Sequence, residues 1–251
     1  MSDRPFDQLR PISITRQFTS LAAGSVLWKQ GNTWVLCNAS VTTDVPPWFK
    51  SDAPGGWITA EYTMLPASTP QRKPWPKTGH TDSRGTEIQR LIGRVLRAAI
   101  DLRRIGPHTI TIDCHVLQAD GGTRTASICG GMLALRDAVA SLPHSIEAVR
   151  GIKPDRLEAN RPHYDPSKAI VETVAAVSVG YVGERAYLDL DYPLDSKAGV
   201  DFNIAMTASG KFVELQGAGE NGQCFTPDQL TTLLSLGRRG CEMLFETMRR
   251  A

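Results

Sequence analysis

Between residues 88 and 100 the apolar positions fall at Ile88, Leu91, Ile92, Val95, Leu96, Ala99 and Ile100, with Arg90, Arg94, Arg97 and Arg104 off that stripe. The three- and four-residue spacing predicts an amphipathic helix packed on a sheet, with Gly106-Pro107 as its stop. Elsewhere the period is two. "SVLWKQGNTWVLCNASV" holds two β-rich runs around Gln30-Gly31-Asn32 and reads as a hairpin, and "GWITAEYTML" supplies a third strand after a Pro/Gly-containing link. A strand is expected at 108–118 and a helix at 125–141. The Pro-rich stretch 143–170 then reads as a connection. Beyond it "TVAAVSVGYV" and "RAYLDLDY" flank Gly183, and "VDFNIAMT" and "KFVELQG" flank Ala208-Ser209-Gly210. A final helix starts at Thr226-Pro227 and carries Leu230, Leu233, Leu234, Cys241, Leu244, Phe245 and Met248. Strands followed by helices, twice, predict an α+β architecture with helices packed on mixed sheets. The expected unit is a single domain over residues 1–251, made of two related halves, about 1–142 and 171–251, joined by 143–170.

Composition narrows the class of protein. With 41% hydrophobic and 22% charged residues the chain reads as globular, and a net charge of +2 restricts any nucleic-acid-binding surface to a local patch. The five cysteines, at 37, 114, 129, 224 and 241, form no C-x-x-C pair and have no histidines at zinc-finger spacing, which predicts a reduced, cytoplasmic protein. Neither a secretory signal nor a membrane-spanning run is expected. The five histidines, at 80, 108, 115, 144 and 163, follow no triad or metal spacing.

Three stretches carry candidate chemistry. In "LQADGGTRTASICGG", residues 117–131, a Gly pair lies where a strand hands over to a helix. Backbone N–H groups are free at such a junction, glycine lets the chain approach a ligand, and Arg124 offers a planar fork matched to phosphate oxygens. Taken alone, the junction fits an anion site or a tight turn with Asp120 and Gly121 as turn residues. "YLDLDYPLDSKAGVDFN" gathers Asp189, Asp191, Asp195 and Asp201, the first two expected on one strand face. Oxygens of this kind bind Mg²⁺ beside phosphates, or they form a solvated strand face with turns at Asp195 and Asp201. Arg84 stands just ahead of the long helix, facing the same anion or bare solvent. The loop 66–82 mixes Arg72, Lys73 and Lys77 with Trp75, a set able to follow a single-stranded backbone and stack a base, or to form a plain polar loop.

Read in order, "DQLRPISITRQFT", "GWITAEYTMLP", "EIQRLIGRVLRAAIDL", "LQADGGTRTAS", "VAAVSVG", "DLDY", "DS" with "VDFNIAMT", and "ELQGAGE" closely resemble the ribonuclease PH family, over nearly the whole chain. The resemblance implies the duplicated βα unit of that family. It also implies a phosphate-dependent 3′-to-5′ exoribonuclease that trims transfer RNA ends, releases nucleoside diphosphates and runs in reverse as 3′ nucleotide addition. By the same resemblance phosphate is held by Arg84, Gly122, Thr123 and Arg124, the catalytic aspartates are Asp195 and Asp201, and the cofactor is Mg²⁺, held by those two aspartates. The implied partner is RNA with a single-stranded 3′ end, transfer RNA precursors above all, with no role for DNA or membrane. The implied assembly is a homohexameric ring of dimers. Two positions depart from the family pattern: Ala67 follows "MLP" where an arginine is common, and Pro47-Trp48 replaces an arginine-containing run. The connection 143–170 is longer than the family's usual link. A non-catalytic RNA-binding ring subunit of an exosome-like assembly is the alternative, but such subunits typically lack the arginine or aspartate set present here. Nucleotide hydrolysis by a Walker-type loop is disfavoured, because "DGGTRTAS" has no lysine where that loop needs one.

Overall fold

The computed structural model describes residues 4–49, 53–75, 83–220 and 222–251. Strands β1 (Ile12–Arg16), β2 (Gly24–Gln30), β3 (Thr33–Thr42), β4 (Trp57–Met64) and β5 (Thr109–Gln118) make one sheet in the order β1-β2-β3-β5-β4. Neighbours run antiparallel except β4 and β5, which are parallel, so the sheet is mixed. A parallel pair needs a crossover, and α1 (Ser83–Arg97) provides it, packing on β4. Burial along β3 and β5 alternates residue by residue, placing Val35, Cys37 and Ala39 on the same inner face as Ile110, Ile112 and Cys114.

A second sheet, order β7-β6-β8-β9, is antiparallel throughout and consists of β6 (Val174–Val182), β7 (Arg185–Leu188), β8 (Val200–Thr207) and β9 (Phe212–Gly219). Between the two sheets runs α2 (Thr123–Ala140), which packs on β2, β3 and β5 on one side and β6 on the other. Enclosed in this way it has no polar face: the run Thr125–Leu135 is buried at every position. Cys129 Sγ lies 3.4 Å from both the backbone N and O of Ala176, on the stretch of β6 that β7 leaves unpaired. The last helix, α5 (Pro227–Arg250), packs on β6, β7 and β8. It starts in a full capping box, Thr226 accepting from Gln229 N and Gln229 accepting from Thr226 N. The α+β layering expected from the sequence is therefore the fold, and each of the three expected helices is present, joined by the short, unexpected α3 (Pro154–Asn160) and α4 (Tyr192–Asp195). Among the described residues no helix is long and apolar enough to cross a membrane.

Three local expectations are corrected. Helix α1 ends at Arg97, well before Gly106; Ile100 pairs as an isolated bridge with Ile170, and Asp101 caps a separate 3-10 turn, Leu102–Ile105, that Gly106 closes. Helix α2 starts two residues earlier than the pattern suggested, directly after Gly122. Asp189 and Asp191 do not share a strand face. Strand β7 stops at Leu188, Asp189 takes a left-handed conformation at φ 56°, and Asp191 caps the short helix α4 (Tyr192–Asp195), accepting from Leu194 N at 3.0 Å. The connection 143–170, which includes α3 (Pro154–Asn160), is tied to the first sheet's periphery. Asn160, fully buried, accepts from Gly55 N at 2.6 Å, and Tyr164 Oη donates to Pro143 O at 2.7 Å.

Candidate active site at the start of the central helix

The chain between β5 and α2 turns through two successive left-handed residues, Gly121 at φ 71° and Gly122 at φ 65°. Glycine is needed twice over at Gly121, since a Cβ there would lie 2.4 Å from Leu190 O as well as straining the backbone. Gly122 caps α2 and brings no side-chain acceptor, so the first N–H groups of an 18-residue helix have no capping side chain. Such groups, with the positive end of the helix dipole behind them, favour an anion. Thr123 Oγ1 lies 2.8 Å from Tyr62 Oη on β4. Among the four residues proposed from sequence for the anion, Gly122, Thr123 and Arg124 are thus consecutive at one helix start.

Arg124 is partly buried, and its guanidinium joins the second sheet to α1: Nη1 donates to Gln216 Oε1 on β9 at 3.0 Å and Nη2 to Glu87 Oε2 on α1 at 3.4 Å. Gln216 Nε2 in turn donates to Glu87 Oε1. Arg84, one turn ahead of Glu87, is exposed in the first turn of α1 and makes no hydrogen bond or ion pair among the described residues. Arg84 and Arg124 therefore belong to neighbouring helix starts, the first free and the second held by Glu87 and Gln216.

Close packing of Gly121 against Leu190 and Asp191 brings the acidic stretch to this loop, and Asp120 Oδ1 accepts from Tyr192 N at 3.2 Å. Asp195 is the last residue of α4; Asp201 lies near the start of β8, in register with Gly180 of β6 and Ala218 of β9. Although Asp195 is open at its surface, partial burial raises its carboxyl above the ordinary range, and Glu220 adds to this while the charges of Arg84 and Arg124 oppose it. Asp201 is raised as well, by burial first and then by the like charges of Asp195 and Glu220, against the pull of Arg124. Two arginines and three carboxylates thus act on one another across one small region. Glu220, which follows β9, was missed by the sequence reading although it closes the "ELQGAGE" run.

The charge of Asp195 disfavours that of Asp201, and Glu220 disfavours both, so a divalent cation would relieve repulsion here; Mg²⁺ needs only one or two carboxylates plus water and phosphate oxygens. Among the described residues no group of three or more His, Cys, Asp or Glu side chains forms a metal cage. The donor set fits Mg²⁺ in that open mode.

Arg10 was also missed, and Asp189, expected on an acidic strand face, is paired with it instead. Asp189 accepts from Arg10 N, Nε and Nη2 at 2.8, 3.0 and 2.7 Å, and Arg10 reaches on to the carbonyls of Asp120 and Gly121. These partners are 179 residues apart, so spacing gave no signal.

Of the residues proposed for RNA, Arg72 and Lys73 are exposed after β4, Lys73 Nζ lying 3.5 Å from Met64 Sδ, and Trp75 is 58% exposed. Lys77 lies outside the described residues. Trp48, at the departure Pro47-Trp48, packs edge-on against Trp57 with ring centroids 4.8 Å apart, and Arg97 covers Trp57 at 4.5 Å. Ala67 is exposed and offers no charge there.

Comparison with known proteins follows the same division of the chain. Residues 8–141 match the 3′ exoribonuclease family, domain 1, and residues 172–240 match the 3′ exoribonuclease family, domain 2. The chain is 52% identical over 239 residues to a protein named Ribonuclease PH from Rhodopirellula baltica, covering 95% of this chain and 92% of that one. To Ribonuclease PH of Corynebacterium glutamicum it is 48% identical over 249 residues, 99% of this chain and 94% of the relative. Among solved structures, the Archaeoglobus fulgidus exosome with RNA bound to the active site matches at TM-score 0.76 and 22% identity, over 97% of this chain and 90% of that chain. An archaeal exosome core matches at TM-score 0.74 and 20% identity, over 98% and 89%. At those identities the structural matches speak to the fold.

Proposed function

The chain belongs to the 3′ exoribonuclease family, and we propose that it is a phosphorolytic 3′-to-5′ exoribonuclease, a phosphate-dependent nucleotidyltransferase that trims transfer RNA precursors. One observation carries this reading at the site: the uncapped start of α2, with Arg84 and Arg124 beside it, faces the same small region as Asp195 and Asp201. An anion-binding and an acidic element so close together suit a reaction between inorganic phosphate and a phosphodiester.

In this reading phosphate is the nucleophile. Gly122, Thr123 and Arg124 bind it through backbone N–H groups and guanidinium, and Arg84 supplies the second cation. Already anionic near neutral pH, phosphate requires no strongly basic side chain. Asp195 and Asp201 would hold Mg²⁺, which when bound offsets negative charge on the scissile phosphate and the leaving 3′-oxygen. In this reading Asp201 would also help a proton reach that oxygen. Glu87 and Gln216 hold Arg124, so phosphate bound there would share its guanidinium with these partners.

RNA beyond the reacting end is held by Arg72, Lys73 and Lys77 with Trp75 as a stacking surface. We further read the two sheets as related halves of one domain, the assembly as a homohexameric ring, and the compartment as the cytoplasm, where five unpaired cysteines are stable.

The test is chromatography of products from a short 3′-tailed RNA with Mg²⁺, alongside a solution mass. Phosphate in excess should shorten the RNA and release nucleoside diphosphates; diphosphates in excess without phosphate should lengthen the same end, since a phosphoanhydride product keeps much of the bond's free energy. Release of nucleoside monophosphates in phosphate-free buffer, at a rate similar to that with phosphate, would identify a hydrolytic nuclease instead.

A further inference from the structure

The anion-facing loop is held from behind by side chains to which the mechanism above gives no part. Arg10 is 7% exposed and Asp189 1%, and they meet as a closed fork, Nε and Nη2 of Arg10 on the two carboxylate oxygens of Asp189. The rest of the guanidinium is directed at the loop: Nη1 donates to Asp120 O and Nη2 to Gly121 O, at 3.4 Å for the latter. Thr33, fully buried at the start of β3, donates to Gly121 O at 2.6 Å and accepts from Asp120 N at 3.1 Å. Two consecutive carbonyls are thus fixed toward one side.

In a trans peptide the carbonyl oxygen and the following N–H point in opposite directions. Both of these peptide bonds are trans, so holding Asp120 O and Gly121 O against Arg10 and Thr33 turns the N–H groups of Gly121 and Gly122 to the other side. The packing is close enough to fix the turn, since a Cβ on Gly122 would lie 3.1 Å from Arg10 Nη2. We infer that Arg10 and Thr33, with Arg10 seated by Asp189, are positioning residues for phosphate: they hold the two-glycine turn so that its N–H donors face the anion before it arrives. This rests on the reading of the loop as the phosphate site, and it adds the N–H of Gly121, two residues ahead of Thr123.

A preorganised donor lowers the cost of binding the anion and leaves RNA binding alone. Thr33→Val removes the hydroxyl and keeps the shape, and should raise both the calorimetric Kd and the KM for inorganic phosphate about five- to tenfold, the value of one hydrogen bond of this kind. kcat at saturating phosphate and KM for RNA should stay within about twofold. Thr33→Ser, which keeps the hydroxyl, should bind phosphate like the wild type; Arg10→Lys, which keeps the charge but loses the fork, should follow Thr33→Val. Arg124→Ala serves as the control for the site itself. Weaker phosphate binding in that control with none in folded Thr33→Val sinks the positioning role alone, and no change in either overturns it together with the phosphate reading. Equal losses in Thr33→Ser and Thr33→Val, or failure of both Thr33→Val and Arg10→Lys to fold, would overturn it too, because the groups would then serve packing only.

Discussion

Asp189 shows how much one side chain commits to this site. Burial alone would push its carboxyl up, but hydrogen bonds and charge from Arg10 outweigh that and hold it below the ordinary carboxylate range. Its folded pKa thus lies below the unfolded value of roughly 3.9, so between the two the unfolded chain binds more protons. Stability from this group is then fully present above about pH 4 and lost as pH falls through the folded pKa. Denaturant unfolding should show that acid loss in the wild type, and Asp189→Asn should flatten it while costing about 3–5 kcal/mol at neutral pH, because Arg10 keeps a buried charge with half its partner removed. A wild-type acid limb in Asp189→Asn would assign the loss to other carboxylates. For the chemistry, Arg124→Ala should raise KM for phosphate and cut turnover about a hundredfold or more, with RNA affinity far less changed. Steady-state kinetics with RNA binding measured separately would show this, and equal losses in both would make Arg124 an RNA-gripping residue. Asp195→Asn and Asp201→Asn should each abolish most activity and leave the circular dichroism spectrum unchanged, since neither carboxylate is part of the core; near-normal phosphorolysis at limiting Mg²⁺ would return that aspartate to a structural turn.

At the scale of elements, the loop that follows β4 carries a separate role from the helix starts. Replacing Arg72, Lys73 and Lys77 together by alanine should weaken long RNA, reduce the salt dependence of binding and leave short substrates nearly unaffected, each lost phosphate contact lowering the slope by roughly 0.7 for a single strand. Filter binding across a salt series on long and dinucleotide substrates would measure it; equal losses on both would put the loop at the reacting end. What the sequence made legible about the elements follows from how local their causes are. The stripe from Ile88 to Leu96 and the Thr226-Pro227 cap each act within a few residues, and α1 and α5 carry those signals, although α1 stops short of the expected Gly106. Helix α2 was harder to delimit because enclosure between two sheets removes the polar face that marks a helix's limits. The acidic strand face was misread because alternation at Asp189 and Asp191 looks like a strand, whereas the fork from Arg10 and the cap on α4 are contacts that only tertiary structure supplies. The Gly-Gly-Thr-Arg junction was legible as a turn into a helix, but nothing local revealed Arg10 and Thr33 behind it.

The whole molecule is organised by the sharing of α2. Among the described residues the main apolar core runs from Val26 in the first sheet through Leu133 on α2 to Val177 in the second and Met248 at the end of α5, joining the two matched regions. The proposed site has the same division, with Arg84 and Arg124 from the N-terminal part and Asp195, Asp201 and Glu220 from the C-terminal part, Glu87 and Gln216 joining them through Arg124. Separating the parts would expose the face of α2 that lies on β6 and would also divide the arginines from the carboxylates. Burial of apolar surface stabilises at about 25 cal/mol per Å², so an uncovered face of a helix this long removes several kcal/mol, comparable to the whole stability of a domain. A chain ending at residue 142 should therefore fail to fold on its own, aggregating or showing little near-ultraviolet circular dichroism. The full chain should lose near- and far-ultraviolet signals and phosphorolysis together in one guanidinium transition, with a midpoint that rises with protein concentration if the ring forms. Two separated transitions, or a folded 1–142 fragment with a sharp melting curve, would show instead that each sheet holds its own core and that α2 belongs to the first alone.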